Sequence, residues 1–126
     1  MVQAALQSFE PVANDAPATA VIDCAHLARM TFGDRSLERE VLQLFDRQAE
    51  LLMERMRRSE PAAIATLAHT LKGSATGVGA TQVARAAADA EMAAGRTTDE
   101  RRPAIDRLAQ AVEEARAQIA TLLRGQ

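Results

Sequence analysis

"TTDERRPAIDRLAQAVEEARAQIATLL" (residues 97–123) decides the fold class. Ile105, Leu108, Val112, Ala115, Ile119 and Leu122 recur in alternating steps of three and four, the spacing that draws one apolar seam along an α-helix. Thr97 stands three residues before Glu100, as in a capping box, and Pro103 falls early enough to be tolerated in the first turns. A seam of this length must be buried against other helices, so the stretch predicts a bundle.

Upstream, the chain supplies the partners. A helix from about Ala80 to Ala94 stacks Ala80, Val83, Ala87, Ala90 and Ala94 on one side and closes on Gly95; such small side chains let helix axes approach closely. Before it, Pro61 is placed as the first-turn proline of a helix carrying Ile64, Leu67, Ala68 and Leu71 until "TGVG" ends it. Between about residues 34 and 58, Leu37, Val41, Leu44, Phe45, Leu52 and Met56 recur at three- and four-residue steps. Arg55, Arg57 and Arg58 gather at the end of that helix, where a solvated terminus would complement the helix dipole. From Val21 to Phe32, Asp23 can cap a short helix holding Leu27 and Met30. "TFGD" breaks it, with Thr31 and Asp34 spaced like a capping box for the next helix. Residues 1–20 carry Pro11 and Pro17 without sustained period and read as a mostly irregular arm. No strand pattern or long-period repeat competes. The expectation is an all-α chain, an antiparallel four-helix bundle with a short N-terminal helix, over residues 21–124.

Composition narrows the function classes. The 126 residues suit one domain, 48% hydrophobic and 25% charged, with only 2% aromatics, so Ala, Leu, Ile and Val must fill the core. Fifteen Lys plus Arg against 17 Asp plus Glu leave a net charge of −2, without the basic field or interleaved aromatics that hold a nucleic-acid backbone. Cys24 is the lone cysteine, so no intramolecular disulfide is expected. No apolar run suggests export or membrane insertion, and the cytoplasm is the expected location. Cys24 and His26 lie one residue apart with no second ligand pair, too little for a metal site.

The chemistry concentrates in "LAHTLKGSATGVGA" (67–80). At about 100° per residue, the stripe of Ile64, Leu67, Ala68, Leu71 and Ala75 is centred roughly 150° from His69, which points the imidazole outward. Lys72, Gly73 and Thr76 follow on that exposed face. A glycine inside a helix costs about 0.5–1 kcal/mol relative to alanine, and what it offers in return is access to the imidazole. Neutral imidazole is a nucleophile near pH 7, and Lys72 could offset the roughly two negative charges of a phosphorylated ring; an ordinary surface histidine is the alternative. The reacting nitrogen needs its proton held on the other one. A hairpin turning at Gly77 to Gly79 brings Glu91 back alongside as the candidate acceptor, or leaves it a plain flank carboxylate.

"AHTLKGSATGVGA" resembles the signature of histidine-containing phosphotransfer (HPt) domains, A-H-x-L-K-G-[SA]-x-x-x-G, at Ala68, His69, Leu71, Lys72, Gly73 and Ser74, with Gly79 and Ala80 near the last position. The likeness extends over residues about 21 to 123, "TFGDRSLEREVLQLF" being similar to the family's helix entry after a Gly-Asp turn. It implies that His69 accepts a phosphoryl group at Nε2 from a receiver's aspartyl phosphate or a histidine-kinase system and passes it to another receiver aspartate. It also implies that Lys72 is the charge partner and Gly73 the clearance for the docking receiver. In such domains the residue reaching the histidine from the next helix is often glutamine and in some glutamate; here that place falls to Glu91. The implied partners are response-regulator receiver domains and a histidine kinase or hybrid kinase, with Mg²⁺ on the receiver and no cofactor on this chain. Exposed residues of the first helix, Leu27 and Met30, are expected to form part of an apolar docking rim. No glycine-rich phosphate loop accompanies the bundle, so a carrier is expected and not a kinase. The competing class is a helical interaction module that binds a receiver or kinase without carrying phosphate.

Overall fold

The computed structural model describes residues 21–125, and within them every regular element is helical: α1 (Cys24–Met30), α2 (Arg35–Arg57), α3 (Pro61–Val78), α4 (Thr81–Ala93) and α5 (Thr98–Arg124). The irregular arm expected over residues 1–20 lies outside the described residues. α2 packs on α3, α3 on α4, α4 on α5, and α5 back on α2; with connections of only a few residues, neighbours run antiparallel and the four long helices close into a bundle. α1 lies against α3.

Local chemistry sets the boundaries. Asp23 accepts the His26 N–H at 3.0 Å, and Asp34 accepts the Leu37 N–H at 3.1 Å. Thr97 and Glu100 complete the capping box expected of α5. The box expected between Thr31 and Asp34 does not form. Thr31 is the C-cap of α1, its hydroxyl donating to the Leu27 carbonyl at 2.8 Å, and Asp34 alone caps α2. α3 starts without a side-chain cap, but Pro61 in its first turn has no N–H to satisfy.

Ile64, Ala68, Leu71, Ala75 and Val78 of α3 face Val83, Ala87 and Ala90 of α4, all buried. The α5 seam buries Leu108, Val112, Ala115 and Ile119, with Ile105 and Leu122 half-buried at its edges. In α2 the expected row needs correction. Phe45, Leu52 and Met56 are buried and Leu37 and Val41 half-buried, but Leu44 is 60% exposed. The buried stripe is Leu42, Phe45, Ala49, Leu52, Met53 and Met56. Because apolar residues stand at 41, 42, 44, 45, 51, 52 and 53, steps of three and four fit more than one row, and only packing on α3 and α5 selects the centre. Arg116 then ties α5 to α2 through Asp46 at 2.8 Å and Glu50 at 3.6 Å; the Asp46 hydrogen bond is the main cause raising its already high pKa.

Candidate functional site

Burying the apolar stripe of α3 turns the opposite face to solvent. The His69 side chain is 64% exposed there. One turn on, Gly73 is exposed, and a Cβ added to it would meet nothing within 4 Å, so the surface beside the imidazole is open. Thr76 is exposed as well and spends its hydroxyl proton on the Lys72 carbonyl at 2.9 Å.

The second half of the site comes from α4. His69 and Glu91 each lie eleven positions from Ala80, on opposite sides of the tight α3–α4 connection, so an antiparallel hairpin sets them level. The alanines of α4 keep the helices close enough for short side chains to meet. Glu91 Oε2 lies 3.1 Å from His69 Nδ1, and Glu91 Oε1 lies 3.2 Å from Lys72 Nζ. One carboxylate therefore spans the imidazole and the ammonium. The Lys72 hydrogen bond is the main cause holding the Glu91 carboxyl below its ordinary pKa, with the charges of Lys72 and His69 adding to it against some desolvation. An ionised carboxylate can only accept, so its bond to the ring requires the proton on Nδ1, and in the neutral ring the lone pair is then on Nε2. All three side chains keep substantial contact with solvent, where ion pairs contribute little to stability, so the arrangement orients groups more than it stabilises the bundle.

The expected docking rim is half corrected. Met30 is 52% exposed, but Leu27 is buried at 3%. α1 packs on α3, and Leu27 is the side chain it turns into that contact. Cys24 is exposed, while His26 Nε2 lies 3.2 Å from the Gly77 carbonyl; among the described residues no three His, Cys, Asp or Glu side chains gather as a metal would need. No helix among them is long and apolar enough to cross a membrane.

In sequence "TGVG" reads as a helix stop, and its second role is hidden there. Gly79 has φ 82°, its carbonyl accepts the Asp23 N–H at 2.8 Å, and a Cβ there would stand 2.9 Å from the Asp23 oxygen. The end of α3 is thus the seat on which α1 begins. The paired glycines are the available signal, but nothing in sequence says which element comes so close.

The site is thus an exposed histidine on one helix of an all-helical bundle, with an ammonium from the next turn of α3 and a carboxylate from α4 beside it. The sequence pattern of the Hpt domain matches residues 35–119, and the chain belongs to that family of histidine phosphotransfer domains in two-component signalling. Hpt domains are phosphocarrier modules that meet kinases and receiver domains in phosphorelays. A solved structure from rice, described as a putative histidine-containing phosphotransfer protein, superimposes with a TM-score of 0.75 over 85% of this chain and 82% of its own, at 17% identity, and so shares the fold. No curated protein sequence matched the chain. α1 lies outside the matched span.

Proposed function

We propose that this chain is a phosphorelay intermediate that accepts a phosphoryl group on His69 Nε2 and exchanges it with receiver-domain aspartates. The observation that carries this reading is the bond between His69 Nδ1 and Glu91 Oε2, because in the neutral ring it selects the tautomer whose proton is on Nδ1 and whose Nε2 is the nucleophile. In the forward step the Nε2 lone pair attacks the phosphorus of an aspartyl phosphate, the N–P bond forms, the P–O bond to the aspartyl oxygen breaks, and the receiver's carboxylate leaves with the electron pair. The Nδ1 proton stays where it is. The ring gains positive charge as it is phosphorylated, and Glu91 faces that charge, so no proton has to be removed during transfer. The reverse step returns the group by the same path. Lys72 has three N–H donors and spends one on Glu91, leaving others for the equatorial phosphoryl oxygens. Gly73 provides the clearance for the receiver, with exposed Thr76 and Met30 farther out on the docking surface. The Mg²⁺ that phosphoryl transfer uses belongs to the receiver in this scheme, and the chain works in the cytoplasm without a nucleotide site of its own.

The test is His69→Gln. Its side chain is exposed, so the substitution should change stability by no more than about 0.5 kcal/mol. Label from a phosphorylated receiver, or from phosphoramidate as a small donor, should disappear while helicity and melting temperature hold. The wild-type label should be acid-labile and alkali-stable, as a phosphoramidate bond is. Label on the variant, or none on wild type from any kinase, receiver or small donor, would replace this reading with a bundle that binds signalling partners without carrying phosphate.

A further inference from the structure

Residues at the end of α2 and the start of α3 line an open groove of about 570 Å³: Arg55, Arg58, Ser59, Ala63, Thr66 and Leu67. Thr66 stands three residues before His69 on α3, roughly 4.5 Å along the helix axis, so the groove opens onto the surface that a docked partner must cover. Its donors are unevenly committed. The Ser59 hydroxyl donates to the Arg55 carbonyl at 2.6 Å, and the Thr66 hydroxyl to the Ala62 carbonyl at 3.4 Å. The guanidinium groups of Arg55 and Arg58 have no hydrogen-bond or ion-pair partner among the described residues. Other exposed arginines, such as Arg47, Arg57 and Arg107, are equally unpartnered among the described residues; what sets Arg55 and Arg58 apart is that no carboxylate lines the groove they share. The groove therefore offers two planar cations, unpaired among the described residues, together with the apolar side chains of Ala63 and Leu67.

We infer that this groove is a second docking point for the receiver that exchanges phosphate with His69, and that it takes an acidic segment of that receiver carrying one apolar side chain. The inference rests on the phosphocarrier reading above. Guanidinium forks suit carboxylates, since their five N–H donors can meet both oxygens at once. An inorganic anion would leave the apolar side chains uncovered and most of the volume empty, whereas a peptide segment covers the one and fills the other. Charged groups at the edge of an interface act mainly on encounter and partner choice, so the groove should select which receiver docks and leave the chemistry at His69 alone. By sequence these arginines belong to a solvated helix terminus; the apolar neighbours Ala63 and Leu67 join them in one groove only when α2 and α3 are packed.

The experiment compares wild type with Arg55→Glu/Arg58→Glu and Arg55→Gln/Arg58→Gln in the full chain. Phosphoramidate labelling of His69, helicity and melting temperature serve as controls, and transfer is then measured with purified receiver domains at low and moderate salt. For the fastest receiver, the reversed pair should raise KM by about tenfold or more with kcat within about twofold, the neutral pair should fall between, and the salt dependence of KM should shrink. Unchanged KM for every receiver, with labelling intact, overturns the groove and leaves the carrier reading standing. A concentration-dependent dimer of the wild type that the reversed pair abolishes, with receiver KM unchanged, overturns it in favour of a second copy as occupant. Failure of phosphoramidate to label wild type would strike the carrier reading itself.

Discussion

The middle of α3 and its end both carry a glycine, for opposite reasons. At Gly73 a Cβ would meet open space; at Gly79 it would stand 2.9 Å from the Asp23 oxygen, on a backbone with φ 82°. The first glycine leaves open surface beside His69, which the proposed phosphocarrier role would give to a partner; the second sits where another part of the same chain already comes close. One residue type in one short motif therefore leaves a surface open at one position and permits a close packing contact fewer than two turns later. The motif alone cannot separate the two roles, because the elements that crowd Gly79, Asp23 and His26, come from more than fifty residues upstream.

The largest effect expected from this contrast is at the crowded end. Gly79→Ala places a side chain in left-handed backbone and drives it into the Asp23 carbonyl, which is held by the Leu27 N–H it accepts at 3.0 Å while the Asp23 N–H is bonded to the Gly79 carbonyl. A loss of about 1–3 kcal/mol is expected, read as a drop of roughly 4 °C in melting temperature per kcal/mol for a domain of this size. His69 sits about 15 Å up the helix, so phosphoramidate labelling of the folded fraction should be little changed. A variant that melts with wild type would mean that α1 is not seated on this turn.

Lys72→Ala should show the reverse pattern, a change of rate with little change in melting. Transfer onto His69 should slow on the order of tenfold to a hundredfold if the ammonium reaches the phosphoryl oxygens. The same substitution removes the main cause of the depressed Glu91 pKa, which should climb toward the ordinary 4.5 in a carboxyl NMR titration. The sign follows from the depression: whatever ionised Glu91 contributes is fully present above about 4.5 and is lost as pH falls through its lower folded value, so wild type keeps the His69–Glu91 bond to more acid pH than the variant. Unchanged rates together with an unmoved Glu91 would make Lys72 a bystander.

How legible the molecule is in sequence follows the range of the interactions involved. The helices of "TTDERRPAIDRLAQAVEEARAQIATLL" and "PAAIATLAHTLKGSATGV" are written in caps, glycines and apolar steps that act within a few residues, and their bounds emerge within a residue or two. Glu91 is reachable because a tight hairpin converts equal distance from Ala80 into spatial level, and the structure places it against both His69 and Lys72. Leu44 and Leu27 fall on the side opposite to expectation because α2 is apolar over a wide arc and α1 is too short for its seven residues to define a stripe. Those two errors have one origin. Where local pattern underdetermines the buried face, a neighbouring helix chooses it, and the neighbour is fixed only by the whole bundle.

The smallest predicted effect tests whether Gly73 is there for a visitor. Its backbone lies inside regular helix, without the left-handed torsion of Gly79, and an added methyl group would find nothing within 4 Å. Alanine there should cost no packing and should narrow the unfolded ensemble, a gain of about 0.5–1 kcal/mol. The stability of the isolated domain thus favours alanine, and retaining glycine makes sense only if the clearance is used. Gly73→Ala should accordingly melt a few degrees higher, take label from phosphoramidate as before, and lose transfer to a receiver to a small degree. Gly73→Phe, equally free of the core, should lose that transfer almost completely while remaining folded. If alanine destabilises the helix, space is not what distinguishes this position from Gly79. If phenylalanine still transfers at the wild-type rate, the receiver does not approach over this face of α3.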